Sequence, residues 1–243
     1  MTSTATDARP DLRGAALGVA LTGIAAACWF VATRHMRGMD MGPGSSLGSL
    51  SFFTATWATM MTAMMLPSAV PTVLAFDRSS PRRTVPSVLF VVGYLAVWTA
   101  VGVAAFFAYR EVRAAHLGFV AWDRDGAYVA GAAVIAAGVY ELAPLKRACL
   151  VRCRAPVTAR GSARDGLRYA GNCVGCSAGL MLVLFAVGVM SVFWMLIVAL
   201  LVFVQKVPAG GVRLVTPVAA LLVGLGVWIA LAPSSVPGLT LPM

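Results

Sequence analysis

The chain has 243 residues, of which 60% are hydrophobic and only 12% charged, about half the charge of an ordinary soluble domain. Its mean hydropathy of +0.85 argues against a water-soluble fold. The net charge of +10 would suit a nucleic-acid binder, but the basic residues sit in short segments between apolar runs. That is the membrane-orientation pattern, so a lipid bilayer and no nucleic acid is the expected surrounding.

In chain order, residues 1–13 form a polar N-terminal tail and residues 14–33 the first run long enough to cross a bilayer, which takes about 20 residues. No small-residue cleavage site follows it, so it reads as a span and not as a leader. The glycine-broken loop after it carries His35, Met36, Met39, Asp40 and Met41. A second span over 50–76 holds Met60, Met61, Met64 and Met65, with Pro67 and Pro71 expected to kink or loosen its last turns. A third covers 86–109 and a fourth 127–145, and a basic linker over 146–168 is expected next.

The apolar stretch 169–204 is too long for one crossing of a ~30 Å hydrocarbon core. Splitting it near Gly188 gives spans at 169–187 and 189–205; a last span covers 214–231, before a short tail over 232–243. The expected fold class is therefore all-α, a polytopic transmembrane helical bundle of seven spans, or six if 169–204 is one helix. With seven spans and the N-terminus inside, 14 of the 19 Lys and Arg residues are internal and 5 external; with six the split is 12 to 7. The positive-inside rule favours seven, and either count leaves Cys149, Cys153, Cys173 and Cys176 toward the cytoplasm.

Those four cysteines form two close pairs. Cys149 and Cys153 share a helix face at i,i+4, and Cys173 and Cys176 do so at i,i+3. A reducing cytoplasm keeps thiols free, which favours metal or redox work over a structural disulfide. Four thiolates suit a soft or borderline cation, copper(I) first and zinc second. The competing reading is four small apolar residues at helix ends.

Met60/Met64 and Met61/Met65 are i,i+4 pairs, and with His35, Met36, Met39 and Met41 they outline a thioether path for copper(I). Their plainer role is packing between helices. With two histidines in total, His35 and His116, a His-rich centre is not available. Glu141 is the only acidic residue expected inside a span, to be neutralised by Lys146 or Arg147, or to serve an ion path.

The segments WATMMTAMMLPSAVP, YELAPLKRACLVRCRAP and NCVGC, with the GLM and GVMSVFWM runs after them, resemble the predicted metal-binding integral membrane protein family, a bacterial domain of unknown function. The resemblance spans roughly 39–210. It implies a multi-span inner-membrane protein that binds metal, and it points to Trp57, Met60, Met64, Met65, Pro67, Tyr140, Pro144, Lys146, Cys149 and Cys153. Further along it points to Cys173, Cys176, Met181, Met190, Trp194 and Met195. This chain departs from the family pattern at Ser177 and Ala178, where cysteine and tryptophan are usual, at Glu141, where glutamine is common, and at Gln205, where glutamate stands.

The expected function is metal handling or transport through a four-cysteine site on the cytoplasmic face, with metal-carrier or other membrane proteins as partners. Alternatives are a membrane thiol-redox protein using the CxxC pair, and a structural subunit of a membrane complex. No reaction and no catalytic residue is assigned.

Overall fold

The computed structural model describes residues 12–36, 48–79, 84–114, 126–155, 162–187, 191–208 and 210–236. Among them are eight α-helices and no strand: α1 (Leu12–Met36), α2 (Leu50–Ser79), α3 (Thr84–Ala114), α4 (Gly126–Leu142), α5 (Pro144–Arg154), α6 (Ser162–Val187), α7 (Val192–Lys206) and α8 (Val215–Leu231). Each of the seven apolar runs is helical. Five helices, α1, α2, α3, α6 and α8, are long and apolar enough to cross a membrane.

A sixth crossing requires α4 and α5 together, which bend by 62°. The remaining expected span, 189–205, is α7, whose 15 residues reach only about 22 Å at 1.5 Å per residue, short of a ~30 Å core. The described part of α6 runs to Val187 and α7 begins at Val192 after an extended Ser191; the expected break point at Gly188 lies outside the described residues.

One expectation needs correcting. Residues 146–168 are not simply a linker, because α5 occupies 144–154 and α6 begins at Ser162. The signal is present in the sequence: Lys146, Cys149, Leu150 and Cys153 are the buried face of α5, and their i, i+3, i+4, i+7 spacing is that of an amphipathic helix. Pro67 and Pro71 lie inside α2, which continues through both to Ser79. Proline does break the chain at Pro144. Ala143 before it is extended (φ −61°, ψ 141°), because the proline ring disfavours helical backbone in its predecessor.

The helices pack through small residues, as membrane bundles do where no hydrophobic drive separates helix from lipid. α4 lies mainly on α8, α3 on α6, α1 on α2, and α5 on α6. At the first contact, a Cβ on Gly131 would come 2.6 Å from the Gly226 carbonyl, and one on Gly226 would come 2.7 Å from the Gly131 carbonyl. At the second, Gly93 faces the Ala163 carbonyl and Gly166 the Phe90 carbonyl with equally little room. α2 locks onto α3 through Trp57, whose ring lies over Gly102 and whose Nε1 donates to the Trp98 carbonyl at 2.8 Å.

Met60, Met61, Met64 and Met65 are all buried in the resulting core, with Met181 and Met195. Gly18 on α1 packs against Leu74 on α2, so these helices run antiparallel. His35 is thereby carried to the opposite end of α1, about 25 Å away.

Candidate metal centre

The bend at Ala143 turns α5 back alongside α6, and this brings the two cysteine pairs together. All four sulfurs are buried in or beside the seam: Cys149, Cys153, Cys173 and Cys176 are each less than a tenth exposed. Cys173 and Cys176 lie near the middle of α6. Contact between the pairs runs through one residue from each. Cys176 Sγ lies 3.7 Å from Cys153 Sγ and 3.2 Å from the Cys173 carbonyl, and it also meets the Cys173 thiol.

Cys149 rests on the backbone of α6. A Cβ at position 175 would come 2.6 Å from its sulfur, so only glycine there lets it approach. Cys173 Sγ also meets Tyr94 Oη at 3.3 Å and Lys206 Nζ at 3.2 Å. Ser177, where the resembled family has a cysteine, uses its hydroxyl on the Cys173 carbonyl at 2.7 Å. Among the described residues, no three His, Cys, Asp or Glu side chains gather tightly enough to hold one metal ion. The expected four-sulfur pocket therefore resolves into a close pair, Cys153 and Cys176, with Cys173 and Cys149 beside it.

The pair has an approach. A cavity of about 280 Å³ is lined by Ser68, Pro71 and Thr72 of α2, Cys153 and Arg154 of α5, Tyr169 of α6, and Lys206 at the end of α7. Its rim is held by Arg154, which donates from Nη1 to the Gln205 carbonyl at 2.8 Å and from Nη2 to the Pro208 carbonyl at 2.6 Å. The first satisfies a carbonyl that the C-terminus of α7 would otherwise leave open, and the second shares the Pro208 carbonyl with the Gly211 N–H. Gly211 makes the close turn beneath, since a Cβ there would meet both the Gln205 carbonyl and Arg154.

Lys206 is the side chain that sequence reading passed over. It is 7% exposed, donates to Ser68 Oγ at 3.1 Å, and lies over the Tyr169 ring at 5.3 Å, a contact that suits an ammonium. Tyr94 was also missed. It bridges the Cys173 sulfur and the Met65 carbonyl, at 3.3 and 3.5 Å.

Glu141 sits at the helix break, fully buried, and pairs with Lys146 as the sequence suggested. Gln205 closes the arrangement into a ring. Lys146 Nζ donates to Gln205 Oε1 at 2.7 Å, and Gln205 Nε2 donates to Glu141 Oε2 at 2.8 Å. Glu141 Oε1 has no partner; it faces Gly179 of α6.

The remaining candidates lie elsewhere. None of the methionines is among the residues lining the cavity. His35 is exposed at the far end of α1, and Met39, Met41 and Met190, with the side chain of Met36, fall outside the described residues. The outer capture loop read from the sequence lies largely outside them too.

A family model described as PpoB2, copper chaperone, matches residues 54–229. No curated protein and no solved structure matches the chain significantly.

Proposed function

The chain belongs to this copper-chaperone family, and from that premise we propose that it is an integral membrane protein holding copper(I), as cargo, on the thiolates of Cys153 and Cys176. The observation that carries this reading is the 3.7 Å separation of the two sulfurs. Two sulfurs this close can both reach a single ion at metal–sulfur bonds of about 2.3 Å. Zinc in a structural site wants four ligands, which the pair alone does not offer. Copper(I) is soft and selects thiolates, and Cys173, one turn from Cys176, is a third sulfur within reach of a small side-chain rotation.

The cavity supplies the route in and out. Its rim carries Arg154, and basic Arg78, Arg152, Arg164 and Arg168 belong to the same ends of α2, α5 and α6. By the positive-inside rule this end faces the cytoplasm of the bacterial cell, where thiols stay reduced. Each cysteine must give up its proton to bind metal. The hydroxyls of Ser68, Thr72 and Tyr169 line the path by which it leaves. The methionines of α2 are packing around the site in this reading, since none reaches the cavity.

Purified protein in detergent with reductant, loaded with copper(I), should carry one copper per chain by elemental analysis, with only sulfur ligands in X-ray absorption. Cys153→Ser and Cys176→Ser should each abolish it, whereas Cys28→Ser and Cys149→Ser should keep it. Loss of copper in Cys149→Ser would restore the four-sulfur site. Stoichiometric zinc, or no metal and a Cys153–Cys176 disulfide forming and breaking under redox cycling, would replace the copper reading with a structural or a thiol-redox one.

A further inference from the structure

The cavity beside the sulfur pair combines a metal-binding atom with an anion-binding one. At about 280 Å³ it is close to the smallest ligand pockets, which start at about 300 Å³. Pro71, Ala75 and Ala155 of its lining are exposed, so it opens to the surface. Cys153 and Arg154, consecutive residues of α5, both line it, and Thr72 and Tyr169 add hydroxyls. Among the described residues no Asp or Glu lines it. The guanidinium of Arg154 keeps its charge throughout the physiological pH range. Of the five N–H donors that a guanidinium carries, two bond the Gln205 and Pro208 carbonyls, which are neutral and leave the net charge in place.

The exposed charge at this end of the bundle has one sign among the described residues. Arg78 lies at the end of α2, Arg152 beside Cys153 on α5, and Arg164 and Arg168 in the first turns of α6; all four are exposed. The carboxylates of the same helix ends, Asp77 and Asp165, are buried. Such a field draws anions and raises their rate of association. We propose that the cavity receives copper(I) as the complex of a small thiol that also bears a carboxylate, Arg154 binding the carboxylate while Cys153 takes the metal. This rests on the copper reading of Cys153 and Cys176 given above, and adds to it the chemical class of the donor.

Copper(I) is soft and stays on thiolates, so it reaches a buried thiol pair by ligand exchange. Each exchange breaks one bond between copper and a carrier sulfur as a bond to Cys153 or Cys176 forms. The cysteine's proton goes to the departing carrier thiolate, and copper keeps its oxidation state. Two exchanges complete the transfer and release two carrier thiols. A guanidinium holds a carboxylate through paired hydrogen bonds, which keeps the exchanging sulfur beside Cys153. Arg154 does this whether or not Lys206 shares a proton with Cys173. The volume of the cavity suits a carrier of small-molecule size and not a folded protein.

The test compares two donors on reduced, detergent-solubilised full-length protein at matched free copper(I). One is copper(I) in excess mercaptosuccinate, a thiol with carboxylates; the other is copper(I) in excess mercaptoethanol, a thiol without them. Copper acquired over time is read by rapid desalting and elemental analysis in wild type, Arg154→Gln, Arg154→Lys and Cys153→Ser. Wild type should load about tenfold faster or more from mercaptosuccinate. That advantage should shrink at about 1 M salt, where the screening length is about 3 Å. Arg154→Gln should lose most of the advantage and Arg154→Lys keep most of it. A copper-free arm needs no variant: S-methylmercaptosuccinate should slow maleimide labelling of Cys153 in wild type, and S-methylmercaptoethanol should not. Equal loading rates from the two donors, or no such protection of Cys153, overturn the inference and leave the copper site standing. No copper taken from either donor, or the same copper in Cys153→Ser, overturns the site and the inference with it.

Discussion

Lys146→Met is expected to destabilise the protein by about 3–5 kcal/mol, the usual consequence of removing one partner of a buried ion pair. The side chains of Glu141 and Lys146 are both fully buried, and Gln205 is 1% exposed. Removing the ammonium leaves a carboxylate with one remaining donor, Gln205 Nε2, and strands Gln205 Oε1. Since whole domains are stable by only about 5–15 kcal/mol, the variant should unfold well below wild type in a detergent melt. The triple change Glu141→Leu, Lys146→Met and Gln205→Leu should recover most of the loss, because replacing a whole buried polar group by apolar side chains is often neutral or better. If the single variant melts with wild type, the ring contributes no stability, and Glu141 is free for the ion-path role read from the sequence.

Gly166→Val should be comparably damaging, at about 3 kcal/mol, the upper end of overpacking. The obstacle to its Cβ is the Phe90 backbone carbonyl, which cannot rotate away as a side chain could. α3 and α6 must therefore move apart. Tyr94 rides on α3 and Cys173 on α6, so their 3.3 Å contact is lost with the packing. The check pairs a thermal melt with the rate at which a maleimide labels Cys173 and Cys176, which should rise. Gly171→Ala is the control: nothing lies within 4 Å of its Cβ, and it should be neutral or gain up to about 1 kcal/mol of helix propensity. Equal behaviour of the two variants would mean that the close α3–α6 approach does not position the site.

The short α5 marks the boundary between what was legible and what was not. Its buried positions 146, 149, 150 and 153 repeat with a helical period, but the basic residues among them resemble a cytoplasmic linker when only average hydropathy is weighed. The stop at Pro144 was also visible, because proline constrains its own neighbour and no distant contact. That the chain should turn by 62° there, laying α5 on α6, was not visible. A local signal can end a helix, but the direction of the next one is set by what it packs against.

The same division runs through the site. The spacing within each cysteine pair follows from helix geometry, and so does the expectation that Glu141 finds Lys146, five residues on. Which sulfur of one pair meets which of the other does not. Cys153 with Cys176, Lys206 beside Cys173, and Gln205 between Glu141 and Lys146 join residues 23, 33 and 64 positions apart.

From its own residues the chain determines that it is apolar, helical and charged chiefly between its helices, because transfer to a bilayer and the 3.6-residue period act residue by residue along the sequence. Tertiary packing alone decides that a helix carrying two thiols folds back into the bundle and that a lysine from α7 becomes the neighbour of a buried sulfur. Such contacts depend on which faces of distant helices find room for one another, and here glycines at crossings such as Gly93, Gly166 and Gly175 make that room.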